Sequence, residues 1–153
     1  MAPDELRESL IGAWRLVSYT ATDVATGEVV EPFGPRPRGL ITYGPDGHMS
    51  AQIMRVGRPD FRHGRLEEGL SEELAAAAAG YLAYAGTFEV PAEDTVVHRV
   101  ELSLFPNWVG GSQTRIAELD GRRLRLSLPG AARIWGALRT GVLTWERARR
   151  QAV

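Results

Sequence analysis

Cysteine is absent from this 153-residue sequence, which excludes disulfides, thiol catalysis and cysteine-ligated metals. Its absence also suits a reducing compartment. Lysine is absent too, so arginine supplies all 18 basic side chains against 19 acidic ones, and the formal net charge is -1. With so little excess charge, no strong electrostatic force draws the chain to nucleic acid or to an anionic membrane surface. No apolar run approaches the roughly 20 residues that cross a bilayer. The first residues, Met1-Ala2-Pro3-Asp4-Glu5, are acidic and lack the basic start and apolar core of a secretory signal. The expected location is therefore the cytoplasm. His48, His63 and His98 are the only histidines and have no metal-ligand spacing, so no metal is expected. No G-x-x-x-x-G-K-[ST] or G-x-G-x-x-G occurs, and no nucleotide cofactor is expected. Ser50 and Ser71 lack the strand–turn–helix setting of a nucleophile elbow.

What remains is an ordinary globular composition, 44% hydrophobic and 24% charged, long enough to bury its own core as one domain over residues 1–153. Short alternating segments between turn signals dominate, the pattern of an all-β sandwich or barrel. A short helix is expected over Leu6 to Ile11, ahead of a first strand at Trp14 to Tyr19 and a short strand at Val29-Val30. Residues 56–70 read as a polar loop. Ser71 then suits an N-cap, followed by Glu72, Glu73 and five alanines, and predicts the one substantial helix over about 71–82, set against a barrel mouth or wall.

Three hairpins can be specified in register. Gly44-Pro45-Asp46-Gly47 suits a type I turn with Gly47 in the left-handed region, pairing Tyr43 with Met49, Ile41 with Ala51 and Gly39 with Ile53. Tyr43 and Met49 then point inward, and His48 outward. Strands over Tyr84 to Val90 and Thr95 to Leu104 place Val96, His98, Val100, Leu102 and Leu104 on the inner face. A three-residue loop sets His98 opposite Gly86, a four-residue loop would mismatch the faces, and a bulge is therefore expected. Asp120-Gly121 reads as a type I′ turn that pairs Leu119 with Arg122, Ala117 with Leu124 and Arg115 with Leu126, and sets Glu118 facing Arg123. Gln113 and Arg115 then share the inward leucine face. A closing strand runs from Leu138 to Arg147.

Gly12-Ala13-Trp14 resembles the G-x-W of lipocalins, with Arg147 placed to cover that tryptophan. Tyr43-Gly44-Pro45-Asp46-Gly47-His48-Met49 and Tyr84-Ala85-Gly86-Thr87-Phe88 follow in order, and His98 and Phe105-Pro106-Asn107-Trp108-Val109-Gly110 come after them. The ordered set, over about residues 9–147, resembles the bacterial and fungal lipocalin-like domain family. That resemblance implies an antiparallel barrel of eight to ten strands around an internal cavity. It does not fix one activity, since such barrels serve as cofactor-free cyclases or isomerases and also as binders of lipophilic molecules.

Polar groups projecting into an apolar interior are the candidate chemistry. His98 could move a proton, and Arg115 or Tyr43 could stabilise negative charge on a carbonyl oxygen. Met49, Tyr84, Phe88, Val100, Trp108, Gln113 and Leu126 are the expected ligand contacts, with Leu16, Ile41 and Leu102 completing the wall. Each has a plainer structural reading: a hydrogen-bonded core histidine, an arginine whose head reaches water, tyrosines with satisfied hydroxyls. The leading expectation is a cofactor-free cyclase or isomerase acting on a polyketide-like or terpenoid-like substrate. A non-catalytic carrier or sensor of a lipophilic ligand is the alternative, and a filled, purely structural barrel the third reading. Whether an edge strand supports a homodimer is left open by the sequence.

Overall fold

Period-2 burial runs through the long strands of the chain, whose computed structural model describes residues 1–152. The strands are β1 (Gly12–Asp23), β2 (Val29–Val30), β3 (Arg38–Tyr43), β4 (His48–Met54) and β5 (Tyr81–Ala92). They continue with β6 (Thr95–Ser103), β7 (Ser112–Asp120), β8 (Arg123–Ser127), β9 (Ala132–Ile134) and β10 (Ala137–Arg147). Neighbours pair antiparallel in the order β2-β1-β3-β4-β5-β6-β7-β8-β10-β9, and β1 also pairs with β10. That last ladder, from Trp14 opposite Arg147 to Asp23 opposite Arg139, closes an eight-stranded barrel and leaves β2 and β9 as short additions at one end. Among the described residues no helix is long and apolar enough to cross a membrane.

The β3–β4 hairpin has the expected register, with Tyr43 opposite Met49 and Gly39 opposite Ile53. Gly47 sits at φ 87° and the Gly44 N–H donates to the His48 carbonyl at 2.8 Å, the signature of a type I turn closed by a left-handed glycine.

Two other hairpins differ from the sequence expectation. The β7–β8 ladder pairs Asp120 with Arg123, Leu119 with Leu124 and Ala117 with Leu126. The turn is therefore Gly121-Arg122, and of its two central residues only Gly121 has positive φ. This is the glycine-first pattern of a type II′ turn rather than type I′. Faces are conserved, so Ala117, Arg115 and Gln113 still point inward, but Glu118 meets Arg125 at 3.4 Å instead of Arg123.

Between β5 and β6, His98 lies opposite Phe88 and Val100 opposite Gly86, not His98 opposite Gly86. Two bulges set this register, one between Glu89 and Ala92 and one between Ala85 and Gly86. At the second, Glu101 is the extra residue, and everything beyond it changes face. Leu102 is consequently 70% exposed, and the expectation that it lines the barrel is overturned. Leu104, expected inward, is exposed as well. Gly86 is what permits the bulge: a Cβ there would meet the Arg99 carbonyl oxygen at 1.8 Å.

The helix expected over 71–82 is α2 (Ser71–Ala79), shorter by three residues because β5 takes the chain from Tyr81. Ser71 is its first helical residue, not its cap. The capping acceptor is the Glu73 carboxylate, which takes the Leu70 N–H at 3.0 Å and the Arg62 N–H at 2.8 Å. No α2 residue is buried. The N-terminal helix α1 (Pro3–Leu10) has the larger role, since its Leu6 and Leu10 are buried in the core. The Trp14 indole N–H donates to the Leu10 carbonyl at 2.9 Å. Arg147 stacks 4.0 Å over the Trp14 ring and donates to the carbonyls of Ser9 and Ile11. Helix α1 and the 44–47 turn thus stop one end of the barrel.

Candidate ligand-binding site

Above this plug the barrel is hollow. A cavity of about 310 Å³ is bounded by Ile41, Ala51, Ile53, Leu82, Leu126, Leu143 and Trp145 on its apolar side. Tyr84, His98, Gln113 and Arg115 bring the polar groups, and Trp108 stands at their edge. These polar residues come from three consecutive strands. His98 on β6 pairs across the ladder with Gln113 on β7, Val96 pairs with Arg115, and Tyr84 projects from β5 on the same inner face. Alternation alone puts Gln113 and Arg115 side by side on that face.

His98 is 1% exposed and has a partner at each ring nitrogen. The Tyr43 hydroxyl lies 2.7 Å from Nε2, and the Tyr84 hydroxyl lies 2.7 Å from Nδ1. Burial, reinforced by the Arg115 charge, pushes the imidazole down to about 3, so His98 is neutral at physiological pH. Burial also raises both phenols, Tyr43 most strongly, so both keep their protons.

A neutral imidazole has one donor and one acceptor, which leaves two possible arrangements. If Nε2 carried the proton, the Tyr43 hydroxyl hydrogen would need another acceptor. Tyr43 is buried and has none among the described residues, at a cost of about 1–3 kcal/mol. The satisfied arrangement has Tyr43 donating to Nε2 and Nδ1–H donating to the Tyr84 oxygen. Tyr84 then keeps its own hydroxyl hydrogen, and Tyr84 borders the cavity. The chain Tyr43–His98–Tyr84 therefore leaves one hydroxyl hydrogen uncommitted, that of Tyr84 beside the cavity.

Arg115 is half-buried and donates to the Thr114 carbonyl at 2.8 Å and to Gln113 Oε1 at 3.1 Å. No carboxylate pairs with it among the described residues, and none lines the cavity. The described residues also contain no cluster of metal-ligating side chains.

Of the residues expected to touch a ligand or act on it, Tyr84, His98, Trp108, Gln113, Arg115 and Leu126 lie on the cavity wall. Tyr43, Met49, Phe88 and Val100 are buried in the core beneath it, with Tyr43 edge-on to Phe88 at 4.8 Å between ring centres. Leu16 also belongs to that core. The sequence reading missed Tyr19, Leu143, Trp145 and the β9 flap, whose Ala132, Arg133 and Ile134 edge the opening. The flap had a signal. Trp135-Gly136 forms its turn, with both residues at positive φ (52° and 77°), and Arg139 donates to the Trp135 carbonyl at 2.9 Å.

Comparison with known proteins agrees with this geometry. The family model for the lipocalin-like domain matches residues 11–148. A protein of Aspergillus oryzae described as the 4'-hydroxy-3'-methoxypropiophenone carrier protein ppsC is 40% identical over 106 residues, which is 65% of this chain and 96% of that one.

Proposed function

The chain belongs to the lipocalin-like domain family, and from that premise we propose that it is a carrier holding a small, largely apolar secondary metabolite inside the barrel. The observation that carries this reading is the cavity itself: apolar over most of its wall, open at the β9 end, with its polar groups gathered on β5, β6 and β7. The similarity to a fungal carrier supports the same reading. The cysteine-free composition favours a cytoplasmic setting, which fractionation of the host cell tests.

The cyclase or isomerase reading needs a side chain that moves a proton. His98 is poorly suited to it, because both ring nitrogens are engaged at 2.7 Å and its basicity is suppressed. What the site offers a ligand is hydrogen bonding, charge and an apolar wall, which favours retention over conversion.

The test uses the aryl ketone in the relative's name. Trp108 and Trp145 border the cavity, so a ligand entering it changes the intrinsic fluorescence. Saturable quenching at one ligand per chain, with the ketone recovered unchanged after prolonged incubation, is the expected result. A product that accumulates with time in proportion to protein would replace the carrier reading with an enzymatic one.

A further inference from the structure

The polar groups facing the cavity are unbalanced in kind. Tyr84 presents a hydroxyl hydrogen, because its oxygen already accepts from His98. Gln113 has its side-chain oxygen engaged by Arg115, which leaves its amide hydrogens free. Arg115 is a guanidinium with no acid opposite it among the described residues, and Arg133 adds a second cation at the opening. Among the described residues the cavity wall contains no aspartate or glutamate to balance either charge. A half-buried cation beside an apolar chamber is unfavourable unless something anionic shares the space. Donors on three neighbouring strands with no acid among them suit an acceptor carried by a ligand.

Resting on the carrier reading, we propose that the bound molecule ends in a singly charged oxyanion, a carboxylate or a phenolate, held by Arg115, the Gln113 amide and the Tyr84 hydroxyl. Its carbon body lies against Leu126, Leu143 and Trp145. The Arg115 field reaches the whole polar wall, since it acts on His98, Tyr84, Tyr43 and Tyr19. An anion placed there meets one full charge and at least two further donors. Charge-assisted hydrogen bonds of this kind are the stronger class. A neutral isostere of the same shape keeps the apolar contacts and loses the charge term.

Two matched probe pairs separate the possibilities at pH 8: 3-phenylpropanoate against 3-phenylpropanamide, and 4-nitrophenolate against 4-nitroanisole. Calorimetry on the full chain is expected to show at least one anion binding roughly tenfold tighter than its neutral partner. The pair that shows the preference identifies the oxyanion as carboxylate or phenolate. Arg115→Gln should bring the two affinities within the preferring pair together, and Arg115→Lys should keep part of the difference. Far-ultraviolet circular dichroism on both variants confirms the barrel is intact. Equal affinity within both pairs, or a preference that survives Arg115→Gln, overturns the oxyanion proposal and leaves the carrier reading standing. No saturable binding of any of the four probes overturns the oxyanion proposal, and absence of quenching by the aryl ketone as well overturns the carrier reading.

Discussion

The Tyr84 hydroxyl lies 2.7 Å from His98 Nδ1, and this single contact couples the buried core to the cavity. On the core side of the ring Tyr43 occupies Nε2, and on the other side Tyr84 borders the cavity. The arrangement predicts a neutral Nδ1–H tautomer, which nitrogen-15 shifts of labelled histidine will report. Tyr84→Phe should weaken binding of an aryl ketone by about 1 kcal/mol, read by fluorescence titration, with little change in fold. An Nε2–H tautomer would refute the donor assignment to Tyr84.

Acid stability follows from the same residue. His98 titrates near its ordinary value in the unfolded chain and at about 3 in the folded one. Between those values the unfolded chain binds the extra proton, so this contribution is complete above pH ~6.5 and is lost as pH falls toward 3. Urea titrations should show stability declining by up to about 1.4 kcal/mol per pH unit on that account. His98→Gln should flatten this part of the profile, and an unchanged slope would show that other groups cause it.

Gly86 tests the bulge that turns Leu102 outward. Its absent Cβ would sit 1.8 Å from the Arg99 carbonyl oxygen, a backbone atom that cannot step aside. Gly86→Ala should destabilise the barrel by about 3 kcal/mol in chemical denaturation. A loss of only a few tenths would mean that the two strands separate readily there.

Arg147 ties the N-terminal plug to the closing strand. Arg147→Ala removes the stacking on Trp14 and leaves the Ser9 and Ile11 carbonyls without their donor. A cost of about 3 kcal/mol is expected. Hydrogen exchange should rise first in α1, because that helix has few other hydrogen bonds to the barrel.

The β9 flap is held in a strained turn. Trp135 at φ 52° is costly for a bulky residue, whereas asparagine before glycine is the favoured type I′ pair. Trp135→Asn should stabilise the chain by about 1 kcal/mol in thermal unfolding. Arg139→Ala should do the opposite and speed amide exchange over β9.

Most faces and the β3–β4 turn were legible in the sequence because they depend on local chemistry. A strand alternates with period 2 wherever it sits, so His98, Gln113, Arg115 and Leu126 were already assigned to one interior. The Gly44-Pro45-Asp46-Gly47 turn carries its own register in the backbone preferences of proline and glycine. The Trp14–Arg147 pairing and the barrel class were equally readable, through the ordered motifs of the family. The β7–β8 register was misplaced because Asp120-Gly121 and Gly121-Arg122 are both acceptable two-residue turns. Choosing between them takes the packing of Leu124 and Leu126 against the rest of the barrel.

The sequence by itself determined antiparallel strands with a polar cluster on their inward faces, because side-chain alternation and turn chemistry act over a few residues. Its ordered motifs carried the resemblance that implied a barrel. Only the tertiary structure decided how that interior is divided. Closure of β1 on β10, the bulge at Glu101 and insertion of α1 are contacts between distant segments. They put Tyr43, Met49, Phe88 and Val100 into packed core, and Tyr84, Gln113 and Arg115 onto an open cavity. Period-2 patterning gives these two groups the same inward direction. Depth along the barrel, which separates core from cavity, is set by which end the helix fills.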